Sequence, residues 1–225
     1  MATAQKQRQN QAITLKGSVA LVTEFFEYSV NSEASTPPTS SGKHRLADLS
    51  ADSRMVKKYG LPMLVTADEG LQEYIQTILQ QVSAWLMEGA LNRIVLAIKS
   101  IETEETVERW QFDIHTEDGP TQAGTMPGAP KIKPKKKTEK EVQGEIREIM
   151  KQITSSVTFL PILDEPCTFT ILAYTNDKPD VAIPNTWGDA DPHLIDRGTV
   201  EQVRLRSFST NVHSLEAMVA YRVGE

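Results

Sequence analysis

The residue types that most often carry out chemistry are few and far apart in this chain. Cys167 is the single cysteine, and the four histidines are His44, His115, His193 and His213. None of the patterns GxxxxGKS/T, GxGxxG, GxSxG or HExxH occurs, and no two carboxylates at helical spacing suggest an acid–base pair. Three histidines can in principle meet around a metal ion, but histidines this scattered are usually solvated. We therefore predict no catalytic residue, no metal ligand and no cofactor, and we expect that the protein is not an enzyme.

One lysine-rich stretch is the only basic cluster, and it consists of Lys131, Lys133, Lys135, Lys136, Lys137 and Lys140. Such a run can be a localisation signal, a nucleic-acid contact, or a solvated loop whose charge is offset by neighbouring glutamates. No aromatic residues that could stack on bases alternate with the lysines, and the formal net charge of the chain is −6. We therefore favour the solvated loop and expect no nucleic-acid partner.

Composition also bears on the compartment. A lone cysteine is typical of a reducing compartment, and no apolar run approaches the ~18 residues of a membrane span. The first residues, MATAQKQRQNQ, are polar and lack the apolar core of a signal peptide. We expect an intracellular protein of the nucleus or cytoplasm, with no membrane partner.

The C-terminal region combines a long connection with late strands. Residues 176–202 contain three prolines and two glycines and show no apolar periodicity, whereas 203–210 and 218–223 again resemble strands. So long a connection in a compact domain is usually a functional arm or a linker. Trp187 lies within it, and a large aromatic side chain there must pack against the domain or against a ligand. The pattern favours a mobile β-element that grips a partner.

The apolar periodicity predicts three helices. An i, i+3, i+7 pattern predicts the first over 13–31, and the second begins at Asp68, where the helix dipole favours negative charge. Thr138, with Glu141 three residues later, forms a capping box that opens a third helix continuing to about residue 157.

Strands lie between and after these helices. Residues 93–100 and 106–115 are predicted to pair as a hairpin around the charged residues 102–105, and Cys167–Thr175 is a third core strand. Trp85 and Trp110 both lie on apolar stripes and are expected in the core. Because helices and strands do not alternate strictly, the order predicts an α+β fold with a largely antiparallel sheet.

Two internal stretches and the N-terminus are predicted to be loops or flexible. Residues 1–12 are polar, 33–54 are rich in Ser, Thr and Pro, and 118–137 are rich first in Gly and Pro and then in Lys.

Several blocks of sequence resemble the HORMA domain family. They are ERWQFDI at 108–114, QIT and VTFLP within 152–161, and VRLRSF at 203–208. The chain is most similar to the branch of this family that acts in the spindle assembly checkpoint. The match extends over about 13–32 and 55–225, with the blocks in the same order, which makes the resemblance specific.

The resemblance implies one domain over 13–225, in which three helices pack on a mainly antiparallel sheet. Residues 176–225 are implied to be a mobile "safety belt" that encloses a short partner peptide, which adds as a strand to the sheet edge. Binding is implied to convert an open state, in which the tail strands occupy that edge, into a closed state. The protein would thereby act as a conformational switch that delays anaphase.

The family also implies particular partners. These are the checkpoint scaffold protein of the kinetochore (of the mitotic arrest deficient one type), the activator of the anaphase-promoting complex, an open–closed homodimer, and an AAA+ remodelling ATPase that engages the polar N-terminal tail. The implied location is the nucleus, the kinetochore and the cytoplasm. The alternative is another HORMA adaptor, such as the accessory subunit of a translesion DNA polymerase.

Site residues follow from the resemblance position by position. The peptide-binding residues are Phe169, Ile171, Leu172 and Tyr174 on the edge strand and Trp187 in the belt. The dimer contacts are Lys151, Gln152 and Phe159, and the residues that help to select between states are Leu15 and Trp85.

Two departures from the family pattern stand out. Residues 33–53 lack the usual aromatic stretch and Arg-X-Ile-Tyr-Pro motif, and Lys151 stands where the pattern has arginine. Lysine keeps the charge but loses the guanidinium fork, so we expect a weaker dimer.

Overall fold

The computed structural model of the chain describes residues 13–34, 53–117, 136–161, 163, 165–176 and 182–223. Three helices pack against one face of an antiparallel six-stranded sheet, and a two-stranded hairpin packs beside the first helix. The elements in chain order are α1 Leu15–Ala34, β1 Ser53–Lys58, β2 Leu61–Thr66, α2 Glu69–Met87, β3 Leu91–Ser100, β4 Thr106–Thr116, α3 Glu139–Ser155, a 3-10 turn Ser156–Thr158, β5 Cys167–Thr175, β6 Thr199–Arg204, β7 Phe208–Ser209 and β8 His213–Val223. The predicted α+β fold is confirmed.

Each helix begins where a side chain satisfies free backbone amides of its first turn. The hydroxyl of Thr14 accepts a hydrogen bond from a backbone amide of α1 (3.2 Å), and Asp68 does the same for α2 (2.7 Å). The predicted capping box of Thr138 and Glu141 is present at α3. None of the described helices is both long and apolar enough to span a membrane.

The central hairpin has the predicted pairing. β3 and β4 are antiparallel, and alternate residues of β4, among them Trp110 and Phe112, are buried against the helices. Phe112 contacts Phe25 and Phe26 of α1 with ring-centroid distances of 5.8 and 5.3 Å. These buried aromatic contacts fix α1 across the middle of the sheet.

The C-terminal strands complete the sheet on the side away from β5. The strand order is β5-β3-β4-β8-β6, and β7 also pairs with β8. Phe208 of β7 packs against Phe25 of α1, with ring centroids 5.2 Å apart. We refer to β6, β7 and β8 together (residues 199–223) as the tail strands.

Several boundaries differ from the sequence predictions. α1 extends to Ala34 and β1 begins at Ser53, so both limits of the predicted loop 33–54 move inward; 35–52, like 1–12 and 118–135, lies outside the described residues. β1 and β2 form a hairpin whose turn residues Tyr59 and Gly60 both have positive φ (49° and 74°), and Tyr-Gly is a weak signal for such a turn. β6 begins at Thr199, inside the predicted connection 176–202. The sequence pattern did not indicate this strand, because its residues are mostly exposed and show no apolar alternation.

Candidate functional site

Strand β5 has one edge without a partner strand among the described residues. The other edge of β5 pairs with β3. Just before β5, Ile101 N donates to Pro166 O (2.9 Å), and the same register is kept from this pair to Ala173. Hydrogen bonding alternates along antiparallel strands, so the even-numbered residues of β5 direct their backbone groups to β3. The odd-numbered residues Phe169, Ile171 and Ala173 therefore present N–H and C=O groups at the free edge.

The side chains of β5 divide between the two faces of the sheet. Phe169, Ile171 and Ala173 pack on the helix-covered face, and Leu172 and Tyr174 lie on the opposite face with Val95 and Ala97. The guanidinium of Arg93 is 5.7 Å from the centre of the Tyr174 ring. The four predicted peptide-binding residues of this strand thus line both sides of one edge.

An aromatic contact extends the helix-covered side of this edge. The ring of Tyr74, on α2, meets that of Phe169 edge to face at 6.1 Å. Burial raises the pKa of the Tyr74 hydroxyl above its ordinary value, so the phenol is neutral at physiological pH. The side chains at this helix-covered part of the edge are therefore apolar or uncharged.

Residues 182–198 pass around the free edge of β5, and we call them the belt segment. Trp187 packs on Trp85 of α2, with ring centroids 4.8 Å apart at 70°, and Trp85 Nε1 donates to the carbonyl of Ala182 (3.4 Å). Further along, the carbonyl of Pro192 accepts from Nε of Arg109 (3.4 Å). Trp85 lies on the helix-covered face and Arg109 on the opposite face, so the segment crosses from one face to the other.

A cavity of about 590 Å³ lies between this strand and the belt segment. Its walls include Ile171–Thr175 of the strand and Ile183, Trp187 and Pro192 of the belt segment. We call it the edge cavity; its volume is typical of ligand sites. Sequence alone predicted Trp187 to pack on the domain or a ligand, and the structure places it on Trp85 as one wall of this cavity.

The three predicted dimer residues lie near the end of α3 and beside the tail strands. Lys151 is paired with Glu148 (2.7 Å), and this hydrogen bond lowers the pKa of the Glu148 carboxyl. The side chain of Gln152 accepts from Arg206 N (2.7 Å). Phe159 is 39% exposed, and its ring lies 6.1 Å from that of Tyr221.

The two predicted state-selecting residues have different surroundings. Leu15 is exposed at the first turn of α1, whereas Trp85 is buried beneath Trp187. Trp85 therefore contacts the belt segment directly. Leu15 lies one turn before Ser18, which contacts the tail strands.

A buried polar cluster joins α1 to the tail strands and was not predicted. The hydroxyl of Ser18 is hydrogen-bonded to that of Thr210 and to Nδ1 of His213 (2.7 Å), and all three side chains are buried. From the sequence, His213 is one of four scattered histidines and is expected to be solvated. No local signal could have identified the cluster, because its members lie up to 195 positions apart. Across the described parts of the chain, no three His, Cys, Asp or Glu side chains are arranged to hold a metal ion.

Residues 18–213 match the family model described as the HORMA domain. Among similar proteins, the mitotic spindle assembly checkpoint protein MAD2A of Dictyostelium discoideum is 43% identical over 215 residues, covering 94% of each chain. The protein of the same name from Homo sapiens is 38% identical over 213 residues, covering 95% of this chain and 94% of the relative.

Solved structures agree with the sequence matches. A chain in the crystal structure of the mitotic checkpoint complex is 37% identical and has a TM-score of 0.72. The match covers 92% of this chain and 100% of that chain. The structure of C. elegans HTP-1 bound to HTP-3 motif-1 has a TM-score of 0.66 at 13% identity, with 93% of this chain and 92% of that chain covered. At that identity the similarity concerns the fold alone.

Proposed function

This chain belongs to the HORMA domain family, and we propose that it acts in the mitotic spindle assembly checkpoint as a non-catalytic protein that binds partner proteins. Relatives at 43% and 38% identity over nearly the whole chain bear spindle-checkpoint names. These matches favour the checkpoint over the alternative of a translesion polymerase subunit.

One observation carries the proposed binding mode: a free strand edge is enclosed by a segment of the same chain. Backbone groups of Ile171 and Ala173 face this edge, and the belt segment contacts both faces of the sheet around it. An extended peptide can add to such an edge through main-chain hydrogen bonds, while the adjoining cavity receives its side chains. The apolar wall residues favour a peptide with apolar side chains in that cavity.

The position of the tail strands corresponds to the closed state described above. β8 pairs with β4, and β6 and β7 pair with β8, so none of the tail strands occupies the binding edge of β5. In the proposed switch, the tail strands occupy the β5 edge in the open state and move to β4 when a peptide is trapped. Entry and release of a peptide would then require the belt segment to open.

The partners that we propose are the kinetochore checkpoint scaffold protein and the activator of the anaphase-promoting complex. We also propose that the protein works in the nucleus and at kinetochores, and that an AAA+ ATPase reopens the closed state. In this proposal the protein traps a peptide of the activator and so sequesters it. Anaphase would then be delayed, which is the expected role of a checkpoint protein.

Proline substitution at the free edge tests the binding mode. In Ala173→Pro, the lost N–H is one that faces the incoming peptide and not β3, so the sheet keeps its own ladder. We expect capture of a fluorescent scaffold-protein peptide, measured by anisotropy, to weaken at least about tenfold, because one main-chain hydrogen bond is lost and the ring blocks close approach.

The opposite sheet edge supplies a matched control. Leu205 N donates to Ala217 O (2.9 Å), so in this register the even-numbered residues of β6 face away from β8. Gln202→Pro thus also removes an outward N–H, and it should leave peptide capture unchanged. Equal capture by the wild type and Ala173→Pro would contradict the binding mode, as would equal loss in both variants.

A further inference from the structure

The carboxylate of Glu105 binds two arginines from different parts of the C-terminal region. Its Oε1 forms an ion pair with Nη1 of Arg197 (2.7 Å), and its Oε2 accepts a hydrogen bond from Nη1 of Arg222 (2.7 Å). Nη2 of Arg222 also lies 3.8 Å from Oε1 of Glu165, whose other oxygen accepts from the hydroxyl of Ser100 (2.6 Å). We call Glu105, Arg197, Arg222 and Glu165 the Glu105 cluster.

The members of this cluster come from four separate places in the chain. Glu105 belongs to the β3–β4 turn, Glu165 precedes β5, Arg197 lies at the end of the belt segment, and Arg222 lies near the end of β8. A single carboxylate therefore connects both ends of the β6–β8 hairpin to the body of the domain.

Gly198 permits this close approach. Its φ is +79°, and a Cβ at this position would lie 3.0 Å from Cγ and 3.1 Å from Cδ of Arg222. The chain therefore passes directly over the aliphatic stem of Arg222 immediately after Arg197. The positive φ of Gly198 and its close contact with the Arg222 stem together bring Arg197 and Arg222 to one carboxylate.

Contacts among the described residues attach the belt segment at three places. Trp187 packs on Trp85, the carbonyl of Pro192 accepts from Arg109, and Arg197 near the end pairs with Glu105. A peptide bound at the free edge, as proposed above, would be enclosed by these attachments and could leave only when one of them opens.

We propose that the Glu105 cluster holds the far end of the belt segment in place and sets how slowly a trapped peptide is released. The kinetic consequence rests on the function proposed above, whereas the attachment itself does not. Glu105 is a positioning residue in this scheme, since it touches the belt segment and β8 but does not line the edge cavity.

The two ion pairs of Glu105, with Arg222 and with Arg197, differ in exposure. The side chains of Glu105 and Arg222 are 26% and 27% exposed, and that of Arg197 is 80% exposed. Exposed ion pairs contribute little, whereas partly buried pairs joined by a charge-assisted hydrogen bond contribute more. We therefore expect the Glu105–Arg222 pair to be stronger than the Glu105–Arg197 pair.

Peptide release tests the proposal in the full-length protein. A fluorescent scaffold-protein peptide is bound and then chased with unlabelled peptide, and its dissociation rate is followed. We expect Glu105→Gln to release the peptide about three- to tenfold faster, with Arg222→Gln similar and Arg197→Gln smaller. The double variant of Glu105 and Arg222 should release the peptide less fast than the product of the two single effects predicts, because both substitutions remove the shared Glu105–Arg222 pair.

Glu104 provides the matched control. It is the neighbouring residue, has the same charge, and its carboxylate forms no ion pair with any described residue. Glu104→Gln should release the peptide at the wild-type rate. Raising the salt concentration from about 50 mM to about 500 mM should speed release from the wild type more than from Glu105→Gln.

Hydrogen exchange separates failure of this proposal from failure of the proposed function. The amides of β6 should exchange faster in Glu105→Gln than in the wild type, even without any peptide. Wild-type release rates in Glu105→Gln, or unchanged β6 exchange, would overturn the role of the cluster. A wild-type protein that captures no peptide, but whose β6 is loosened by Glu105→Gln, would instead refute only the proposed function and the kinetic consequence.

Discussion

The hydroxyl of Ser18 shows how one buried polar side chain can specify where the tail strands lie. It is hydrogen-bonded to Thr210 and His213, and the hydroxyl of Thr210 in turn donates to the backbone carbonyl of His213 (3.1 Å). A buried polar group without a partner is costly, so these side chains favour the arrangement in which each is paired. If the tail strands left α1, Ser18 would need water or another partner.

His213 should make stability depend on pH. Burial lowers the pKa of its imidazole below the ordinary value of 6.5, and the backbone of Leu86 opposes this shift only in part. Protonation therefore favours the unfolded chain. The free energy of unfolding should fall as pH drops below about 6.5, by at most about 1.4 kcal/mol per pH unit for this one proton.

The substitution His213→Asn tests this linkage, because asparagine does not titrate and can still meet Ser18. Urea unfolding between about pH 7.5 and pH 5.5 should show a shallower loss of stability in this variant than in the wild type. The same substitution at the exposed His115 serves as the matched control. Identical slopes for all three proteins would exclude His213 as the titrating group.

At the scale of elements, the start of α3 depends on both its own cap and the tail strands. Lys137 N donates to the side chain of Asn211 (2.9 Å), and Lys137 Nζ is bonded to Glu145 (2.6 Å) and to the hydroxyl of Ser209 (2.8 Å). The β7–β8 region therefore holds the residue immediately before the capping box. This explains how a shift of the tail strands could be sensed along α3.

Removal of the cap should weaken α3 locally. Thr138 accepts from Glu141 N (3.3 Å) and Glu141 accepts from Thr138 N (2.7 Å), so Thr138→Ala should lower the free energy of unfolding by about 1 kcal/mol. Thr138→Ser retains the hydroxyl and should be close to the wild type in the same denaturant titration. An unchanged unfolding midpoint in Thr138→Ala would show that the capping box contributes nothing measurable.

At the scale of the whole molecule, the end of α3 and the tail strands form one continuous surface. Gln152 already binds the backbone of Arg206, and Phe159 lies against Tyr221. Any partner that docks on the predicted dimer residues therefore also meets the tail strands in their present position. This gives a physical route by which dimer formation could distinguish the closed state from the open one.

The combined substitution Lys151→Glu and Phe159→Ala should abolish the proposed homodimer. It reverses the charge of a half-buried lysine and removes a partly exposed aromatic side chain, the type that most often anchors interfaces. Sedimentation velocity should show a shift from dimer to monomer at concentrations where the wild type dimerises.

The exposed Lys140, at the beginning of the same helix, gives a control with the same charge change. Lys140→Glu should sediment like the wild type. If the Lys151 and Phe159 variant also sediments like the wild type, the dimer surface lies elsewhere.

The sequence by itself determined the helices, the β3–β4 hairpin and strand β5, because each depends on local signals. Periodicity located the stripe that contains Trp85, and the capping box of Thr138 and the N-terminal Asp68 located two helix starts. Resemblance to the family identified the residues now found on β5 and in the belt segment. The periodicity and the capping residues lie within a few positions of one another, so they can be recognised without the tertiary structure.

Only the tertiary structure decided on which edge of the sheet the tail strands lie. The alternating residues of β8 can pair with any antiparallel edge, because backbone hydrogen bonds are the same at β4 and at β5. The choice comes from contacts between residues distant in the chain: Ser18 with His213, Phe25 with Phe208, and Glu105 with Arg222. Such contacts leave no local pattern, and a switch between two edges depends on their sum.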